Sequence, residues 1–283
     1  MDLSVIIPTY NNSQTLKVTL ESLLKQRECE RFDFEIIVVD NNSSDDTKLQ
    51  VDILMEKFSG KLIYRFEPRQ GNAYARNNGI KHSRGKWICF TDDDCVADPH
   101  WLLHIYSAFC DIQADVVQGK IVLATMIPPG LPYNLDFLKQ RFAGVDYGEP
   151  GFISGKDLVG ANAHFRRSIF DKFGGYSVHP AFSINQDTEF SRRLARAGVK
   201  FYYTPKAVIH HHFDENRITE AYLQKQSFMW GRSDVFLDES FSSPLRHVIF
   251  CLVLWMKYVL NFFKLRVLNR KQEASLLKLK ICA

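Results

Sequence analysis

The chain has 283 residues, 46% of them apolar and 24% charged, a composition that supports a full hydrophobic core and excludes a disordered, collagenous or purely disulfide-held polypeptide. Its net charge of +4 is unevenly spread: residues 245–283 hold eight basic residues and one acid, a net of +7, while residues 1–244 carry −3. A slightly acidic body with a basic, apolar tail argues against a general nucleic-acid binder.

In chain order, residues 3–8 (LSVIIP) and 34–40 (FEIIVVD) are short apolar, β-branched runs that read as buried parallel strands. Between them Leu16, Leu20, Leu23 and Leu24 recur at helical spacing, which makes the opening a βαβ unit. A strand over 62–66, a helix over 72–82 and a strand over 86–90 continue the alternation and predict an α/β sheet with helices on both faces. A helix near 187–197 and a strand ending at His210, His211 and His212 follow a Pro-rich and Gly-rich stretch. Six cysteines form no C-x-x-C pair, and no basic, apolar leader opens the sequence, so a reducing cytosolic compartment is expected.

In such a sheet the loops at the carboxyl ends of the strands converge on one crevice. Thr9, Tyr10, Asn11 and Asn12 follow the first strand, Asp40, Asn41, Asn42 and Ser43 the second, and Thr91, Asp92, Asp93 and Asp94 the fourth. Three consecutive carboxylates repel one another unless a cation or hydrogen-bond donors compensate them. In an extended segment Asp92 and Asp94 share a face and leave open positions on Mg²⁺ or Mn²⁺ for waters and phosphates; the alternative is a solvated acidic turn. Asp40 reads either as a helix cap or as a ligand for a base or ribose. Neither a G-x-G-x-x-G fingerprint nor a G-x-x-x-x-G-K-[ST] loop is present, which disfavours a Rossmann dehydrogenase or a P-loop enzyme.

Four motifs in order carry a resemblance: residues 4–11 (SVIIPTYN), 36–45 (IIVVDNNSSD), Gly71 to Gly79 with Ala75 and Arg76 followed by Gly85 to Asp94, and the stretch with Gly160, Asn162, Gly174, Tyr176, Gln186, Asp187, Glu189, Arg193 and Gly198. Over residues 3–212 the chain resembles the family 2 inverting glycosyltransferases of GT-A fold. The resemblance implies a Rossmann-like mixed sheet flanked by helices. Pro8, Thr9, Tyr10, Asn11, Asp40, Asn42, Arg76, Asp92 and Asp93 are implied to line the nucleotide-sugar site, with Asp40 meeting the base. It matches Asp92 and Asp94 to the family's D-x-D metal motif and Asp187 to its catalytic base. One departure is Gln186, where the family usually has Glu. For Asp187 the other reading is a helix N-cap. Members of the family often carry a single His here, followed by a polar loop and an Arg, so the resemblance, counted back from Arg217, implies His211 as a further ligand for Mn²⁺ or Mg²⁺; exposed histidines on a strand end are the other reading.

Trp87 and Trp101 read as core, and Trp230, in a loop over 228–232, as a candidate platform for a sugar ring. Over 245–267 the longest uncharged run is too short to span a bilayer, which takes about 20 apolar residues. Lys257, Lys264, Lys271 and Lys278 form a drifting basic stripe, as in a helix lying on an anionic membrane surface; a helix packed on the catalytic body or on a second subunit of a homodimer is the alternative. The expected organisation is a GT-A catalytic domain over 1–240, with a nucleotide-sugar half (1–98) and an acceptor half (99–240), and a basic amphipathic helical tail over 241–283. The expected activity is non-processive, metal-dependent transfer from a UDP-linked sugar to a lipid-linked or glycan acceptor at the cytosolic face of a membrane. A non-catalytic nucleotide-sugar binder on the same fold is the alternative, and a nucleotidyltransferase is disfavoured for want of a Gly-rich triphosphate loop.

Overall fold

The computed structural model describes residues 1–124, 142–154 and 157–237. The Pro-rich stretch near 127–132 and the basic tail over 241–283 lie outside the described residues. The described residues divide into two compact units, one of residues 1–124, 142–154, 157–178 and 186–212 and one of 179–185 and 213–237.

The first unit is built on strands β1 (Leu3–Thr9), β2 (Phe34–Asp40), β3 (Leu62–Phe66), β4 (Trp87–Phe90), β5 (Cys95–Ala97), β6 (Val116–Leu123), β7 (Gly151–Ile153), β8 (Ala163–Arg166) and β9 (Phe201–His211). They form one sheet in the order β3-β2-β1-β4-β8-β6-β9-β5, with β7 also paired to β9. β3, β2, β1 and β4 are parallel neighbours, as the βαβ alternation predicts. Beyond β4 the sheet is mixed: β8 runs antiparallel to β4 and β6, and β6 pairs parallel with β9.

Every residue of β1 and β2 is buried, which explains their unbroken apolar runs: both faces of a parallel strand are covered by helices. Pairing of β1 with β4 ends at Ile6, so one edge of β1 is open beyond it, and Pro8, with no N–H to offer, is tolerated there. Helix α1 (Ser13–Leu24) buries Leu16, Leu20 and Leu23 along one face. Helices α2 (Thr47–Met55), α3 (Asn72–His82), α4 (Trp101–Asp111), α5 (Arg167–Phe173) and α6 (Gln186–Arg196) complete the unit's described helices. Two apolar clusters line the sheet, one around Leu16, Val38, Trp101 and Ile209, the other around Ile6, Ile37, Phe165 and Phe190. Trp87 stacks on Phe109 at 5.4 Å and Trp101 is fully buried, so both belong to the core as expected.

In the second unit, helix α7 (Glu220–Leu237) follows a 3-10 turn at Glu215–Ile218, and the Ser233 hydroxyl donates to the Ala181 carbonyl. Trp230 therefore sits inside α7 and not in a loop. The helix passes through Gly231, since a single glycine costs a helix only about 1 kcal/mol. No described helix is long and apolar enough to cross a membrane.

Candidate active site

The carboxyl ends of β1, β2 and β4 carry the polar loops side by side. Asn11 and Asn42 adopt left-handed backbone, with φ of 50° and 64°, a conformation that asparagine tolerates better than most residues. The two loops are laced together: the Asn11 N–H donates to the Ser43 hydroxyl at 3.0 Å, and the Ser44 N–H donates to the Asn11 side-chain carbonyl at 2.7 Å. Thr9 and Pro8 are buried here while Tyr10 is exposed.

Asp40 is buried, and its two oxygens accept from the Ser43 N–H at 2.8 Å and from the Tyr64 hydroxyl at 2.7 Å. It caps no helix. Asp45 is the residue that serves the helix starts, accepting from the Ser13 and Thr47 N–H groups at 2.9 and 3.1 Å. A carboxylate has about four lone-pair sites, so Asp40 keeps acceptor capacity beyond these two bonds. Burial and the Asp40 carboxylate push the Tyr64 phenol pKa up, which keeps it a donor. Asn41, also buried, ties this loop to the next: its amide donates to the Glu67 and Arg69 carbonyls, and its side-chain oxygen accepts from Gly71 N–H at 2.8 Å.

The three acids after β4 face three different partners, because residues 93 and 94 form a turn and not an extended segment. Asp92 accepts from Arg76 Nη2 at 3.1 Å. Asp93 accepts from the Asn12 amide at 2.9 Å; burial, reinforced by the Asp94 charge, raises its pKa to about 7. Asp94 is buried beside His211, with Oδ1 3.2 Å from Nε2. Cys95 Sγ lies 3.7 Å from the same oxygen.

Strand alternation separates the three histidines. His211 meets Asp94, His210 pairs with Asp98 at 3.0 Å, and the His212 N–H donates to the Asp94 carbonyl at 2.8 Å while its ring is exposed. His211 Nδ1 lies 2.9 Å from the Phe142 carbonyl. A carbonyl oxygen only accepts, so Nδ1 carries a proton. Nε2 of the neutral ring then turns its lone pair toward a carboxylate, an arrangement that calls for a positive charge between them. A proton meets that need: burial opposes it, but Asp94 outweighs burial and holds the imidazole pKa above its ordinary value. A divalent cation meets it equally, and a backbone carbonyl on the remote ring nitrogen is the usual support of a metal-bound histidine. The donor set thus fits a divalent ion.

Asp187 is the second residue of α6. Its oxygens accept from the Gly160 N–H at 3.1 Å and the Thr188 N–H at 2.9 Å. Burial raises its pKa against the opposing pull of Arg76. The Arg76 guanidinium, from the middle of α3, is 2% exposed and lies over the rings of Phe90 and Tyr176 at 5.6 and 5.3 Å. Among the described residues its Nε and Nη1 find no hydrogen-bond partner. Buried polar groups are rarely left so, and a cation with spare donors beside Asp92 suits an oxygen-rich ligand. The 3-10 turn Gly160–Asn162 that supports Asp187 is itself anchored by Asn162. Its amide donates to the Lys120 and Ala207 carbonyls, and its oxygen accepts from Trp101 Nε1 and His164 Nε2.

The motifs therefore converge on the carboxyl ends of the strands, but Tyr64, Asn41, Asn12, Tyr176 and Cys95 were given no site role in the sequence. For Asn41, Asn12 and Tyr176 the signal was present, since the two asparagines lie in the polar runs after β1 and β2 and Tyr176 in the last of the four motifs. Tyr64 and Cys95 join the site only through strand pairing and packing.

A family model described as Glycosyl transferase family 2 matches residues 4–174. The amylovoran biosynthesis glycosyltransferase AmsB of Erwinia amylovora is 36% identical over 265 residues, covering 86% of this chain and 84% of AmsB. Several curated relatives are longer, and this chain spans only 36% to 63% of their lengths. Among solved structures, S. aureus TarS 1–349 in complex with UDP aligns with a TM-score of 0.59 at 17% identity, over 99% of this chain and 89% of that one. The mannosyltransferase PcManGT from Pyrobaculum calidifontis, in complex with GDP-Man and Mn²⁺, aligns with a TM-score of 0.62 at 20% identity, over 82% of this chain and 62% of that one. At these identities the structural likeness is one of fold.

Proposed function

Because the chain belongs to glycosyl transferase family 2 and is a glycosyltransferase, we propose that it moves a sugar from a nucleoside diphosphate, UDP being the expected nucleotide, to a hydroxyl of a glycan or lipid-linked acceptor by a single inverting displacement. The observation that carries this reading is the half-buried Asp187 carboxylate, held by Gly160 within electrostatic reach of the Arg76–Asp92 pair. An acceptor hydroxyl is a weak nucleophile, and a carboxylate within hydrogen-bond reach takes its proton as it attacks. Desolvation strengthens Asp187 as a base. A single attack by the acceptor hydroxyl, with Asp187 as its base, gives one displacement and inversion at the sugar carbon.

On the donor side, Pro8, Thr9, Tyr10, Asn11 and Asn42 shape the nucleotide loops and Asp40 offers its remaining lone pairs to the base. Arg76, with Asp92 and Asp93, holds the sugar-diphosphate end. Asp94 and His211 would hold Mn²⁺ or Mg²⁺, whose charge would stabilise the negative charge gathering on a departing diphosphate. The two nucleotide-bound neighbours, one of them with Mn²⁺, support the same reading. The +7 segment over 245–283 supports attachment to an anionic membrane surface on the cytosolic side, where lipid-linked acceptors would be within reach.

The test is a screen of nucleotide-sugar donors for metal-dependent release of nucleoside diphosphate, repeated with Asp187→Asn. Turnover with one donor, reduced on the order of 10²–10⁴-fold in the variant with nucleotide affinity retained, is expected. Binding without turnover by the unmodified chain identifies a non-catalytic binder and overturns the proposal.

A further inference from the structure

The ladder joining β5 to β9 sets Cys95 directly opposite His211. Residues opposite one another in an antiparallel pair project to the same face with Cβ atoms about 4.5–5.5 Å apart. Backbone register therefore places the two side chains next to each other on one face of the sheet. Asp94 precedes Cys95 in the chain and meets both: its Oδ1 lies 3.7 Å from Cys95 Sγ and 3.2 Å from His211 Nε2. One ligand atom from each of the three lies within 4.8 Å of the other two, and among the described residues no other trio of His, Cys, Asp or Glu meets this spacing. Asp92, the other acid of the D-x-D pair, is turned to Arg76.

We infer that Cys95 is a third protein ligand of the divalent ion, so that the centre is an Asp94–Cys95–His211 site. The inference rests on the metal-dependent reading above and changes its chemistry. A thiolate is a soft ligand, and its presence favours Zn²⁺ or Co²⁺, and Mn²⁺ among the harder ions, over Mg²⁺, which keeps to oxygen. As the Sγ–metal bond forms, the S–H bond breaks and its proton leaves to solvent, so binding releases one proton for this ligand.

The test uses the full chain with Cys29, Cys110, Cys251 and Cys282 replaced by serine, which leaves Cys95 and the strand-buried Cys89. Co²⁺ alone is titrated in and followed by near-ultraviolet absorption and calorimetry. The inference expects a thiolate-to-cobalt charge-transfer band that saturates at one equivalent. Adding Cys95→Ser should abolish the band and weaken Co²⁺ binding on the order of tenfold or more, the scale lost when even a supporting group of a metal ligand is removed. X-ray absorption on the Zn²⁺-loaded parent needs no Cys95 variant to fold and should show a sulfur at about 2.3 Å. Equal Co²⁺ affinity with and without Cys95→Ser, no band, and only oxygen and nitrogen neighbours overturn the inference, as does a folded parent that binds no Co²⁺. Neither result touches the assignment of the base, which stands or falls on donor turnover in Asp187→Asn.

Discussion

Replacing Gly160 by alanine probes the contact on which the site is organised. A Cβ at Gly160 would overlap Arg76 Nη1 and come within 2.6 Å of Cζ. Gly160 is not among the residues with left-handed backbone, so alanine fits the conformation and, acting on the unfolded chain alone, would stabilise by about 0.4–1 kcal/mol. Any loss therefore reports the contact. Arg76 has no room to yield, being 2% exposed, flanked by Phe90 and Tyr176 and paired to Asp92. Overpacking costs about 1–3 kcal/mol, and disturbing the charge-assisted bond to Asp92 costs about 1.5–3 kcal/mol more. The expected net destabilisation is about 2–5 kcal/mol, with Tm falling roughly 2–4 °C for each kcal/mol. Equilibrium urea unfolding measures it. The sharper assay is a double-mutant cycle with Arg76→Lys, which removes the forked guanidinium. In that background the cost of Gly160→Ala should shrink by about 1 kcal/mol or more. A Gly160→Ala variant as stable as the parent, or additive with Arg76→Lys, would refute the assigned contact.

Three other outcomes are expected. Tyr64→Phe removes one of the two bonds to the buried Asp40 carboxylate; it should destabilise by about 1.5–3 kcal/mol and weaken nucleotide binding in calorimetry, and unchanged values for both would remove Asp40 from the donor loop. The Glu67 carboxyl, hydrogen-bonded by Arg69 and Asn78, has its pKa lowered to about 2 from 4.5. A depressed folded-state pKa stabilises above the unfolded value and is lost on acidification, so Glu67→Gln should lower stability at neutral pH and flatten the fall in stability between about pH 4.5 and pH 2, with salt weakening the effect because Arg69 is largely exposed. Deleting residues 245–283 should release the protein from anionic vesicles in a flotation assay, and undiminished flotation would assign the attachment elsewhere.

Much of the parallel half was legible because its physics is local. A strand covered on both faces must be apolar throughout, so β1, β2 and β4 announce themselves as runs, and the polar residues that end each run necessarily lie at the same rim of the sheet. Asp92, Asp93, Asp94 and Asp40 could be found that way. Of the mixed half only the strand ending at the three histidines could be read, because β8 and β5 are short and their neighbours are far off in the chain.

The fate of individual side chains needed the tertiary structure. Asp92 and Asp94 looked like one pair in the sequence, yet a turn at residues 93 and 94 directs one to Arg76 and the other to His211. Asp40 read in the sequence either as a helix cap or as a ligand for a base or ribose; Asp45 takes the capping work, while Asp40 bonds Tyr64 from the neighbouring strand. Cys95 and His211 are more than a hundred residues apart, and only the antiparallel register of β5 on β9 makes them neighbours. The amino-acid sequence determined where the polar rim would form, since hydrophobic periodicity and chain direction act over a few residues. Which groups share a charge, a proton or a cation was decided by strand order and register, which depend on contacts that span the whole domain.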